Sequence, residues 1–100
     1  MKTIVIDGNE MRTREVAHVY LARRLSLPDH YGKNLDALYD CLNEISEPTT
    51  IVIYQYKTLE NYLGTYAAGI RNVLNHAQEE NHFLTILYDI DSQICAKEMT

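Results

Sequence analysis

Three short runs of apolar and β-branched residues punctuate the chain, at 3–6, 50–56 and 83–88. None of them alternates cleanly between apolar and polar, which predicts strands buried in a parallel sheet. The segments between them carry helical spacing instead. Thr13 is a candidate N-cap for a helix over 14–25, with Val16, Val19 and Tyr20 marking its turns and Arg23 and Arg24 in its last turn. A long helical stretch over 58–80 has Gly64 and Gly69 as break points and Tyr62, Leu63, Tyr66, Ile70, Val73, Leu74 and Ala77 as its inward face. Asn81 and His82 turn the chain into the last strand. The order β-α-α-β-α-α-β predicts an α/β fold: a small three-stranded parallel sheet, right-handed crossovers and about four helices.

The central segment, 27–44, is patterned most sharply. Pro28 disfavours helix at Leu27, Gly32 suits a tight turn, and Asn34 is a good N-cap. Two stripes then run along one helix. Leu35, Leu38, Leu42 and Ile45 make an apolar face; Asp36, Asp40 and Glu44 recur every fourth residue and make an acidic one. Like charges at that spacing repel by a few tenths of a kcal/mol. Asp40 and Glu44 also lie progressively closer to the unfavourable end of the helix dipole. Helix stability does not select such a stripe. It reads either as a solvated face or as a surface shaped for something basic.

Charge distribution sharpens that choice. The chain carries a net −5, but residues 1–25 sum to +2 and residues 29–47 to −4. Acidity on this scale argues against nucleic acid as a partner, since such binding rests on phosphate neutralisation. A basic protein fits better. The arginines at 12, 14, 23 and 24 read as solubilising charge.

With 100 residues, the chain makes one domain. No signal-peptide or membrane-spanning run is visible, and Cys41 and Cys95 show neither a CxxC nor a metal spacing, so free thiols in the cytoplasm are expected. Cys41 borders the apolar stripe and is expected to be buried. The histidines at 18, 30, 76 and 82 are scattered, and no nucleotide loop or nucleophile elbow is present. No cofactor and no metal is expected. Asp36 and Asp40 as a general acid–base pair would need a burial that an open helix face does not provide.

The run L-P-D-H-Y-G-K-N-L-D-A-L-Y-D-C-L over 27–42 resembles the central segment of the barstar-like family of intracellular ribonuclease inhibitors. The strand-like runs at both ends fit the same pattern. The resemblance implies a barstar-like domain over 1–89 and leaves 90–100 as a polar C-terminal extension, expected to be mobile. It implies a non-enzymatic inhibitor, or immunity protein, that forms a one-to-one complex with a basic, barnase-like ribonuclease of the extracellular type. Carboxylates on the helix would stand in for RNA phosphates against the nuclease's cationic residues. Position by position, it implies partner contacts at Asp36 and Asp40, at Gly32 and Asn34 in the loop, and at Leu35, Ala37 and Tyr39, with Glu44 extending the stripe. His30 stands where the family has a loop aromatic, beside Tyr31. His76 replaces an acid in the last helix, with Glu80 one turn on. Simpler roles stand beside these: turn and cap for Gly32 and Asn34, packing for Tyr39, a solvated loop residue for His30. A binding module for another basic protein is the alternative function.

Overall fold

The computed structural model describes residues 2–88. Strand β1, Lys2–Asp7, passes through a short 3-10 helix, Gly8–Glu10, into α1, Arg14–Leu25, and α2, Leu35–Asn43. Strand β2, Thr49–Tyr54, leads to α3, Tyr56–Leu63, and α4, Thr65–Glu80, and β3, Leu84–Tyr88, follows. The strands form one parallel sheet in the order β1-β2-β3. This is the α/β architecture and element order expected from the sequence. The expectation for 90–100 lies outside the described residues.

One expectation about the sheet is corrected. Its strands are not covered on both faces. Ile4, Ile6, Ile51, Ile53, Leu84 and Ile86 are buried, while Val5 and Leu87 are 44% and 50% exposed on the opposite face. Right-handed crossovers that step the same way across a sheet place every helix on one side. The other side is then bare even where its residues are apolar.

Helix α1 is rotated from the predicted face. Ala17, His18, Leu21 and Leu25 are buried, and Val16 and Val19 are nearly half exposed. Strand β2 also stops earlier than residue 56. Gln55 takes a left-handed φ of 57° and starts α3 at Tyr56. Gly8 explains the close fit there, because a Cβ on it would lie 2.3 Å from the Gln55 carbonyl oxygen. Gly64, at φ 58°, separates α3 from α4. Gly69 does not break α4, and Tyr62 is exposed rather than inward.

Helix side chains bond to both edge strands of the sheet. On β1, the Asp7 N–H donates to the Tyr20 hydroxyl at 2.9 Å, and the Arg24 Nε–H donates to the Val5 carbonyl at 3.1 Å. On β3, the Ile86 N–H donates to Gln78 Oε1 at 2.6 Å. An unpaired edge would template pairing with another chain.

Candidate partner-binding surface

The loop that precedes α2 is built from backbone exceptions. Ser26, at φ 55°, ends α1 in the left-handed region and turns the chain towards Pro28. The Tyr31 N–H donates to the Pro28 carbonyl at 3.0 Å. Gly32 is not the left-handed residue of the following turn; Lys33 is, at φ 57°. Gly32 is instead a place of limited room, since a Cβ there would lie 3.2 Å from Asn34 Nδ2 and 3.4 Å from the Ala37 Cβ. Asn34 caps α2 as expected: its Oδ1 accepts from the Ala37 N–H at 2.7 Å.

Helix α2 separates its two stripes. Leu38 and Leu42 are fully buried, and Leu35, Ala37, Tyr39, Cys41 and Ile45 pack partly against the core. Asp36, Asp40 and Glu44 are all exposed. Among the described residues the one ion pair is Lys2–Glu47 at 4.0 Å, so none of their cations closes an ion pair with the acidic row. Cys41 is half-buried rather than buried. Burial, followed by Glu44 and Asp40, pushes its thiol pKa up, which holds it in the unreactive protonated form.

Two contacts fix α2 as a rigid platform. Gly69 of α4 admits Leu35, whose Cδ1 would lie 2.9 Å from a Cβ at that position. At the other end, the side chain of Asn81, only 7% exposed, donates to the Leu42 and Ile45 carbonyls at 3.0 and 2.9 Å and accepts from the Phe83 N–H at 3.0 Å. It ties the last turn of α2 to the turn before β3. Asn81→Ala is expected to lower stability by about 2 kcal/mol, because it leaves buried backbone groups unpaired. A urea titration followed by circular dichroism measures the loss.

A buried polar triad fixes the loop. His18, 2% exposed, lies between two tyrosine hydroxyls, with Nδ1 2.6 Å from Tyr31 and Nε2 2.6 Å from Tyr66. In the neutral ring one nitrogen donates and the other accepts. Burial lowers the His18 pKa, partly opposed by Glu15. It raises the pKa of both tyrosines.

The predicted contact residues therefore separate. His30, Gly32, Asn34, Asp36, Asp40 and Glu44 are exposed along the loop and α2, with Leu35, Ala37 and Tyr39 half-buried between them. Tyr31 is only 6% exposed, so its ring anchors the loop from within. His76 and Glu80 are exposed on α4, at helical spacing from the Gly69 that touches Leu35. The sequence reading missed His18 and Asn81. The spacing of His18 with Leu21 and Leu25 was the available signal for the first. Asn81 read only as a turn residue. Among the described residues no cluster of three or more His, Cys, Asp or Glu side chains is placed to hold a metal.

The loop and α2 lie within a stretch of the chain that matches a known family. The family profile described as "Barstar (barnase inhibitor)" matches residues 1–89. The chain belongs to the Barstar family. A relative from Bacillus subtilis (strain 168), named "Putative ribonuclease inhibitor YrdF", is 42% identical over 81 residues, which is 80% of this chain and 89% of the relative. In this member of the Barstar family, the outward row of carboxylates lies on a helix packed against α4 through Leu35 and tied to the turn before β3 by Asn81.

Proposed function

We propose that this chain inhibits a barnase-like ribonuclease by occluding its active site in a one-to-one complex. The family and the named function of the relative support an inhibitor role. The observation that carries the mechanism is the row Asp36, Asp40 and Glu44: exposed, unpaired among the described residues, and mounted on a helix packed through Leu38 and Leu42. A ribonuclease holds phosphate oxygens with Arg, Lys and His. Carboxylates at fixed spacing on a rigid helix meet the same groups with charge-assisted bonds, and rigidity keeps the entropic cost of docking low.

Asp40 is the central contact and Asp36 its neighbour. Gly32 and Asn34 present backbone and amide groups from the loop, and Leu35, Ala37 and Tyr39 supply the apolar part of the footprint. His30, His76 and Glu80 lie at the rim and adapt the surface to one nuclease. The net charge of −5 favours association with a basic enzyme. Among the described residues no helix is long and apolar enough to cross a membrane. The site of action in this reading is the cytoplasm of the cell that makes the nuclease, where the chain serves as an immunity protein.

Titrating barnase, and other small basic secreted ribonucleases, with the purified chain tests the reading. A linear fall of activity to an end point at equal molarity is the expected result. No inhibition of any of them, together with capture of a basic protein that is not a nuclease, would instead favour the binding-module alternative.

A further inference from the structure

Two cations beside the acidic row have no role in the contacts described above. Arg14 is the first residue of α1, and Lys33 immediately precedes the Asn34 cap of α2. Each lies at the positive end of a helix dipole, where acids are the stabilising choice. Each is exposed. Lys33 occupies the left-handed backbone region at φ 57°, which disfavours residues with a side chain. The Arg14 guanidinium stands 4.4 Å from the centroid of the Tyr66 ring, and the Tyr66 hydroxyl is anchored on His18.

Both cations line one cleft of about 610 Å³, which they share with Glu15, Asn34, Leu35 and Asp36. Neither closes an ion pair with Glu15 or Asp36, since among the described residues the pair within 4.0 Å is Lys2–Glu47. The cleft opens on the first turn of α2, so a protein that covers Asn34, Leu35 and Asp36 also covers it. A uniformly basic partner would suit Asp36 and Glu15 but set like charges against Arg14 and Lys33, an arrangement that interfaces use to reject partners. Once Asp36 meets a guanidinium, the two cations outnumber Glu15 alone.

We infer that this cleft receives a carboxylate side chain from the rim of the ribonuclease's basic groove. The partner then carries a mixed pair, with a guanidinium for Asp36 and a neighbouring acid for Arg14 and Lys33. This rests on the inhibitor reading and adds the charge pattern that the nuclease must have. Charge complementarity of this kind acts on partner choice and on association rate more than on total affinity.

The test uses the full chain with barnase and a panel of small basic secreted ribonucleases, at low and high salt. The variants are Arg14→Glu, Lys33→Glu, their combination, Lys33→Asn and Asp40→Ala. Against the nuclease that the wild type inhibits most tightly, the combined reversal is expected to weaken binding by at least about tenfold, chiefly through the association rate and less at high salt. Lys33→Asn suits the left-handed backbone, removes the charge, and is expected to fall between the two. Replacing one rim carboxylate of the nuclease by lysine restores the combined variant. Unchanged or tighter binding by the combined variant, while Asp40→Ala still loses inhibition, overturns this inference and leaves the inhibitor reading in place. Failure of the wild type to inhibit any nuclease overturns both. Circular dichroism confirms that each exposed substitution leaves the fold intact.

Discussion

Asp40→Ala is expected to weaken ribonuclease binding by about 30-fold to several-thousand-fold, the equivalent of about 2–5 kcal/mol for truncating one partner of a buried charge pair, a kind of contact for which the barnase–barstar complex is the worked example. The chain is expected to stay folded. Asp40 is exposed on α2, and removing it relieves repulsion from Asp36 and Glu44, so its urea midpoint should hold or rise slightly. The effect belongs to the complex. In the proposed complex the carboxylate would be desolvated against a guanidinium, and truncation would leave that cation buried without a partner. Asp40→Asn separates charge from shape. An asparagine variant that binds as tightly as wild type would dismiss electrostatics as the cause, and equal binding by the alanine variant would remove Asp40 from the interface.

The second large effect falls on the fold. His18→Ala is expected to cost about 3–5 kcal/mol of a domain stability that is ordinarily about 5–15 kcal/mol. It empties a volume at the centre of α1's buried face and strands the Tyr31 and Tyr66 hydroxyls at once. The same residue sets a pH dependence. Burial holds the folded-state pKa of His18 below the ordinary histidine value of 6.5. In the window between the two values the unfolded chain binds more protons, so stability is full above about 6.5 and falls as pH drops through that window, by at most about 1.4 kcal/mol per pH unit. Urea titrations at several pH values should show this slope in the wild type and its reduction in His18→Ala. Identical slopes would assign the titration elsewhere. Because Tyr31 anchors the 28–33 loop, inhibition should weaken in the same variant.

Much of this was legible in residue order, for identifiable reasons. Thr13 and Asn34 are caps with the right side chains, and both start the helices they were expected to start. Gly64 marks the break between α3 and α4. The acidic row on α2 faces outward because Leu35, Leu38 and Leu42 leave it no other side. What failed was tertiary in origin. Val16 and Val19 mark an apolar face of α1, yet the side packed inward is the one with Leu21 and Leu25, which brings the small Ala17 and the hydrogen-bonded His18 with them. Gly69 looked like a helix breaker because its reason lies in Leu35, more than thirty residues away. Lys33 and Gln55 take a backbone region that their side chains do not advertise. The double carbonyl contact of Asn81 depends on where α2 ends in space.

The way Arg24, Tyr20 and Gln78 stopper the flanks of the sheet bears on how the protein lives at high concentration. If the chain acts as the stoichiometric inhibitor proposed above, it has to accumulate without sticking to itself. With one amide on each outer strand already engaged, a neighbouring copy finds a less regular row on which to zip.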